Sequence, residues 1–151
     1  MPELPELDVL AENLAARLGG ASVSGVRVVS VAALKTFDPP IEDLVGRAVS
    51  GAGRRAKYVW LEFQDLRLVM HLSLGGRLVL GPKPASRKIA VLAVDLDDGQ
   101  VLSMTEGGTQ RRAAVWLVDD VEKVPALAGL GPEPLDPDFT VERLSAILAE
   151  G

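Results

Sequence analysis

Residues 58–72 read YVWLEFQDLRLVMHL, and this stretch decides the fold class. It places two apolar runs on either side of Gln64 and Asp65, which is the pattern of a β-hairpin. A second hairpin is indicated further along, where IAVLAVDL and VLSMT flank the turn residues DDGQ at 97–100. Both hairpins alternate imperfectly between apolar and polar residues, as strands packed in two layers can. The sequence therefore predicts a mainly β fold, a two-layer antiparallel β-sandwich.

The same pattern of short Val- and Leu-rich runs extends outward to Val23 and to about Val118. Before it, an amphipathic N-terminal helix is predicted, because four leucines recur at helical spacing and Gly19-Gly20 supplies a stop. These leucines are Leu7, Leu10, Leu14 and Leu18. The β-sandwich with its N-terminal helix thus accounts for most of the chain.

Beyond the β region, the proline-rich LGPEPLDPDF at 130–139 predicts a connecting loop. A short C-terminal helix, VERLSAILAE, follows it with Thr140 as the capping residue. We therefore place the β-sandwich domain at residues 1–134. Residues 135–151 form a linker and the start of the C-terminal helix.

Composition limits the kinds of site that the chain can hold. Its 151 residues fit one domain, and no stretch approaches the ~20 apolar residues of a membrane span. A secretory signal would begin with a basic region followed by an apolar run, whereas this N-terminus is acidic. No secretory signal is therefore visible, and a cytoplasmic protein is expected. With no cysteine and one histidine, we expect no metal and no other cofactor in this chain. The net charge of −5 argues against a nucleic-acid partner unless the basic residues are clustered.

The N-terminal motif PELPEL allows two interpretations. Proline and glutamate both favour the first turn of a helix, which explains the motif by structure alone. Alternatively, removal of Met1 would leave Pro2 with a free secondary amine, and an α-amino group titrates near ~8 and can act as a nucleophile. Glu3 and Glu6 would then be nearby carboxylates for proton transfer. From the spacing alone, the structural interpretation is preferred.

Three further stretches carry candidate residues, and each alone is explained by ordinary surface structure. GRRAKYVWLEF at 53–63 leads into a strand and carries Lys57, which a rigid backbone would aim at a phosphate or at substrate. HLSLGGRL at 71–78 carries His71, and Leu74 lies on a predicted glycine turn from which an apolar side chain can wedge between bases. TEGGTQRRAAVW at 105–116 is a glycine-rich loop that ends at Arg111-Arg112.

Taken in order, PELPE, RRAKY, HLSLGGRL, DDGQVL and LGPEPL resemble the N-terminal domain of the formamidopyrimidine-DNA glycosylase and endonuclease VIII family. The resemblance spans nearly the whole chain. It implies a β-sandwich flanked by helices and a base excision repair enzyme, a bifunctional DNA glycosylase and abasic-site lyase for oxidised bases. It also implies damaged duplex DNA as the partner, no membrane, a monomer, and a cytoplasmic, nucleoid-associated location.

The resemblance also implies the roles of individual residues. Pro2 would attack C1′ of the damaged nucleotide and form a Schiff base, Glu3 would transfer a proton during opening of the sugar ring, and Glu6 lies beside it in the motif. Lys57 would contact phosphate or the damaged base and completes the catalytic set. The residues implied in DNA binding are His71, Leu74, Arg54, Arg55, Arg111 and Arg112.

The chain also departs from the family pattern. The branch that acts on oxidised purines usually has a loop of the form DPRRFG, whereas TEGGTQRRAA contains no aromatic residue. The family's second domain, with a helix-two-turn-helix element and commonly a zinc finger that holds a structural zinc, is expected to be absent from this chain. Two alternatives therefore stand beside the enzyme: a non-catalytic DNA-binding or interaction relative, and an inert isolated domain.

Overall fold

The computed structural model describes residues 4–130 of the chain. The helix α1 spans Leu4–Leu18, and three short 3-10 helices span Val31–Ala33, Ile41–Leu44 and Val121–Lys123. The strands are β1 (Val23–Val28), β2 (Gly51–Arg55), β3 (Tyr58–Phe63), β4 (Leu66–His71), β5 (Gly76–Gly81), β6 (Ala90–Leu96), β7 (Val101–Glu106) and β8 (Ala114–Val118).

The strands form two antiparallel four-stranded sheets, ordered β1-β6-β7-β5 and β2-β3-β4-β8. Both predicted hairpins are confirmed: β3 pairs with β4 around Gln64-Asp65, and β6 pairs with β7 around residues 97–100. The fold class predicted from residues 58–72 is therefore correct, a two-layer β-sandwich with an N-terminal helix.

The core lies between the two sheets and under α1. Alternate residues of β3 point inward, so Val59, Leu61 and Phe63 are at most 1% exposed while their neighbours are half-buried. Helix α1 buries Leu7, Leu14 and Leu18, as its spacing predicts, whereas Leu10 is only partly buried. Full burial of one such leucine stabilises the fold by about 1.5–3 kcal/mol relative to exposure.

The helix ends where the sequence predicts. The backbone N–H of Gly19 donates to the carbonyl of Ala15 at 3.1 Å, and Gly20 adopts φ +86°, a left-handed conformation that glycine accepts without steric cost. At the other end of the chain, the predicted loop from residue 131 onward, the C-terminal helix and the domain boundary after residue 134 lie outside the described residues. Within residues 4–130, no helix is long and apolar enough to cross a membrane.

Within residues 4–130, three connections pass from one sheet to the other: residues 29–50 join β1 to β2, and the two shorter ones carry predicted site residues. Residues 72–75 link the end of β4 to the start of β5, and residues 107–113 link the end of β7 to the start of β8. Because β5 pairs with β7 and β4 pairs with β8, both of these shorter connections lie at the same end of the sandwich. In the part of the chain that the structure describes, the stretches that carry Lys57, His71, Leu74, Arg111 and Arg112 begin or end there.

Candidate active site and nucleic-acid interface

Strand register gathers the candidate residues. His71 is the pairing partner of both Tyr58 and Ala114, which places the start of β3, the end of β4 and the start of β8 side by side. In the other sheet, Gly76 pairs with Glu106, so the turn that carries Leu74 lies beside the residues 107–113. Motifs separated by up to about fifty residues in the sequence therefore meet at one end of the sandwich.

Basic residues concentrate at this end. Its cations lie on the β2–β3 turn, on residues 107–113, and on the two segments that pack against residues 107–113. We call this surface the basic end and define it by Lys35, Arg55, Lys57, Lys88, Arg111 and Arg112. Lys35 and Lys88 could not be singled out from the sequence, because neither lies in a recognisable motif.

Acidic residues gather at the opposite end. The hairpin turn at Asp65 and the turn at Asp97-Asp98 both lie at the far ends of their sheets, and Asp43 and Asp119 line a cleft beside Asp65. The chain as a whole carries −5, and at the far end Arg47 and Lys123 pair with Asp65 and Asp119, so the acidic residues there are partly neutralised. The clustering that nucleic-acid binding requires is present at the basic end.

An ion pair fixes the beginning of α1 beside the basic end. The Arg54 Nε lies 2.5 Å from Asp8 Oδ1, and the arginine side chain is only 4% exposed. Arg54 also donates through Nη1 to the carbonyl of Ala56 at 2.9 Å, which holds the turn that carries Lys57. The structure thus shows Arg54 in a structural role, and a DNA contact by it stays a prediction.

The catalytic set is only partly within the described residues. Glu6 is exposed in the first turn of α1, and Lys57 is half-buried between β2 and β3. Pro2 and Glu3 lie outside the described residues, and their roles stay predictions. Only one residue separates Pro2 from Leu4 in the sequence, and α1 begins at Leu4.

His71 lies in a partly buried and electrostatically mixed environment. Its ring centroid lies 4.8 Å from that of Tyr58, at an interplanar angle of 50°. Burial lowers the pKa of His71 below its ordinary value of 6.5, the nearby Lys57 ammonium lowers it further, and the Glu106 carboxylate opposes both effects. The imidazole is therefore neutral at neutral pH, and a neutral imidazole can donate one hydrogen bond to a phosphate oxygen.

Leu74 stands out from the surface on the predicted tight turn. Its side chain is 74% exposed, while Leu72 and Ser73 on the same turn are buried. Ser73 adopts φ +56°, and a Cβ on Gly76 would lie 2.0 Å from the carbonyl oxygen of Leu72. The turn therefore requires glycine at position 76, and it presents an apolar side chain to solvent at the basic end.

Residues 107–113, which we call the arginine loop, are held by hydrogen bonds of two side chains, Glu106 and Arg111. The carboxylate of Glu106 is 2% exposed, and its Oε2 accepts hydrogen bonds from the backbone N–H groups of Arg112 and Ala113, each at 2.9 Å. The Arg111 guanidinium donates to the carbonyl of Lys88. Sequence reasoning missed Glu106, although a carboxylate directly after an apolar strand and before Gly107-Gly108 was available as an indication.

The remaining predicted contacts lie where an extended ligand could reach them. Arg111 and Arg112 are exposed on the arginine loop. Arg55 is half-buried and donates through Nη2 to the carbonyl of Leu130 at 3.1 Å. Among residues 4–130, no group of three or more His, Asp or Glu side chains is placed to hold a metal ion. The expectation of no cofactor stays a prediction.

Residues 1–114 match the family model described as the formamidopyrimidine-DNA glycosylase N-terminal domain. The chain is 37% identical to the formamidopyrimidine-DNA glycosylase of Mycolicibacterium smegmatis, over 98% of this chain and 54% of that protein. It is also 37% identical to the enzyme of the same name from Mycolicibacterium gilvum, over 92% of this chain and 52% of the relative. The chain spans about half the length of the curated relatives it matches.

Solved structures of proteins bound to DNA are similar in fold to this chain. A complex between Lactococcus lactis Fpg and DNA containing an abasic site superposes with a TM-score of 0.81 at 25% identity, covering 97% of this chain and 56% of that one. A complex of the Lactococcus lactis protein with DNA containing Fapy-dG gives the same TM-score, identity and coverage.

Proposed function

The chain belongs to the formamidopyrimidine-DNA glycosylase family, and from that premise we propose that it is the catalytic N-terminal part of a base excision repair enzyme. The proposed activity is that of a DNA glycosylase with abasic-site lyase activity, acting on oxidised bases in damaged duplex DNA. The observation that carries the proposal is the basic end, where the beginning of α1, Lys57, His71, Leu74 and the arginine loop meet on a protein of net charge −5.

The proposed chemistry begins at Pro2 once Met1 has been removed. The lone pair of the Pro2 amine attacks C1′, and the bond between C1′ and the base breaks. The amine gives up its N–H proton to the site, and the departing base takes a proton from the site, so the protons balance. The C1′–O4′ bond then opens as Glu3 delivers a proton to O4′, which leaves an iminium between Pro2 and C1′. Successive β and δ eliminations break the strand, and water releases the amine. Glu6 and Lys57 complete the proposed site.

The proposed DNA contacts follow from charge and shape. Extruding a nucleotide costs a few kcal/mol of stacking and pairing, and Leu74 is the exposed apolar side chain that would fill the gap left in the duplex. Arg111 and Arg112 would enter from the arginine loop, while Lys57, His71 and Arg55 would face phosphates. We place the protein in the cytoplasm, associated with the nucleoid, as a monomer whose β-sandwich domain spans residues 1–134.

One observation favours a second candidate, a non-catalytic DNA-binding relative. The arginine loop contains no aromatic residue, so it offers no aromatic ring to stack on a base opposite the extruded nucleotide. Such a relative would keep the basic end and bind DNA without forming a covalent intermediate. The two candidates therefore differ in a single measurable property, which is a reducible Schiff base.

Borohydride trapping tests the proposal. The protein is mixed with a duplex that contains one abasic site, the mixture is reduced, and the covalent adduct is mapped by mass spectrometry. We expect an adduct at Pro2, and we expect the intact mass to show that Met1 is absent. No adduct from protein that has lost Met1, with binding retained, would favour the non-catalytic relative.

Three variants sharpen this test. An added residue before Pro2 converts its amine into an amide and should abolish the adduct at Pro2. Pro2→Gly replaces the secondary amine with a primary one, which still forms a reducible imine, and should weaken the adduct, whereas Pro5→Gly alters the second proline of the same motif and should leave it unchanged. Binding to the duplex should weaken steeply with salt, and a flat salt dependence would argue against DNA as the partner.

A further inference from the structure

The backbone of the turn that carries Leu74 comes close to the backbone of the arginine loop. The N–H of Gly107 donates to the carbonyl of Gly75 at 3.4 Å. A Cβ on Gly75 would lie 2.8 Å from the carbonyl oxygen of Gly107, a separation that real Cβ atoms essentially never show. The two segments can approach this closely only because position 75 has no side chain.

Only the Gly75 side of this contact excludes a side chain. A Cβ on Gly107 would meet no atom within 4 Å, so the loop side has room for a side chain and the turn side has none. The obstacle at Gly75 is also a backbone carbonyl, which cannot rotate away as a flexible side chain would. An alanine at position 75 must therefore displace the turn, the loop, or both.

Two other interactions anchor the arginine loop, and neither of them connects it to the turn that carries Leu74. Glu106 holds the loop at Arg112 and Ala113, on its far side from Gly107. Arg111 is held by the carbonyl of Lys88, in the connection between β5 and β6. Among the hydrogen bonds of residues 4–130 described above, the one between Gly75 and Gly107 joins the loop directly to the turn.

We infer that Gly75 is a positioning residue that sets Leu74 and the arginine loop as one rigid unit. The inference rests on the proposed function, because the expected consequence is weaker action on duplex DNA. The wedge at Leu74 and the arginines at 111 and 112 must enter the same duplex together, and their separation is fixed where the two glycines meet. A displacement of about 1 Å there would misalign one group whenever the other is seated.

The test compares abasic single strands with abasic duplexes in the borohydride assay. A single strand has no opposite strand to separate from the lesion, so it reports the Pro2 chemistry without the wedge. For Gly75→Ala we expect trapping on the single strand to stay within about twofold of wild type and trapping on the duplex to fall about tenfold or more. Gly81→Ala serves as the control, since a Cβ there meets nothing within 4 Å, and both substrates should be unaffected.

Backbone amide NMR shifts give a second measurement that needs no activity. Gly75→Ala should move the resonances of residues 107–113, whereas Gly107→Ala should move only its immediate neighbours. An equal loss on both DNA substrates, or unchanged resonances in the arginine loop of Gly75→Ala, would overturn the inference. Absence of trapping by the wild-type protein on either substrate would instead count against the proposed function, and the resonances would still decide whether Gly75 couples the two segments.

Discussion

Arg54 on β2 and Asp8 on α1 form an ion pair of 2.5 Å in which the arginine side chain is 4% exposed and the aspartate 39% exposed. The pair joins segments 46 residues apart and lies at the edge of the core. It fastens the first half of α1 to the strand that leads into the Lys57 turn. The helix that begins next to the candidate nucleophile is therefore held by charge as well as by its leucines.

Asp8→Asn should lower the free energy of unfolding by about 1–2 kcal/mol, because a largely buried guanidinium loses its charged acceptor. Urea denaturation at neutral pH measures this. The matched control is Asp95→Asn, which removes the acceptor of Arg27 in an exposed pair of 2.7 Å. Exposed pairs contribute about 0–1 kcal/mol, so the control should change little. Equal losses in the two variants would show that the Asp8 pair behaves as an ordinary surface pair.

The pKa of His71 should lie below 6.5 in the folded protein, and it can be measured by NMR titration of the imidazole because His71 is the single histidine of the chain. Lys57→Ala removes a nearby positive charge and should raise this pKa. Glu106→Gln removes a nearby negative charge and should lower it further. If both variants moved the pKa in the same direction, a change in burial rather than charge would control the titration.

The lowered pKa of His71 also sets the direction in which the free energy of unfolding changes with pH. Because the folded pKa is below the unfolded value of about 6.5, the unfolded chain binds the proton first as the pH falls. The contribution of His71 to the free energy of unfolding is therefore complete above about pH 6.5 and is lost as the pH falls towards the folded pKa. His71→Gln should remove this part of the pH dependence, as urea midpoints between pH 5 and 8 would show.

The elements that are local in sequence could be predicted, since their cause is local. The hairpin at 58–72 follows from two apolar runs around Gln64-Asp65, and α1 follows from the spacing of its leucines before Gly19. The exposed position of Leu74 also follows from the turn around it. Each of these features depends on residues within about fifteen positions of one another.

The features that depend on strand order could not be predicted. No local pattern pairs Asp8 with Arg54, because their contact exists only once α1 packs on β2. The cluster of cations at the basic end was equally invisible, since the same residues carry the same net charge whichever way the strands run. The contact between Gly75 and Gly107 needs β5 to pair with β7, although β6 lies between them in the sequence.

Leu74→Ala should leave folding unchanged and weaken action on duplexes. The side chain is 74% exposed, so its loss should change the free energy of unfolding by less than about 0.5 kcal/mol. Trapping on an abasic duplex should fall about tenfold, or about 1.4 kcal/mol, while trapping on a single strand should persist. Val79→Ala, which truncates another exposed apolar side chain on β5, should affect neither substrate. A matching loss in Val79→Ala would indicate general surface hydrophobicity rather than a wedge.

Glu106→Gln should make the arginine loop more mobile, because it weakens the buried hydrogen bonds that hold the loop. The carboxylate accepts two backbone hydrogen bonds through one oxygen while 2% exposed, and an amide in its place brings an N–H₂ donor into a site built around N–H donors. We expect a loss of about 1–3 kcal/mol in the free energy of unfolding. Hydrogen exchange at the amides of Arg112 and Ala113 should rise by a larger factor than at the β4 amides. Asp98→Asn, which alters an exposed carboxylate that accepts one bond from Gln100, should change neither quantity appreciably. If exchange rose evenly across the sandwich, Glu106 would be stabilising the whole fold rather than holding the arginine loop in place.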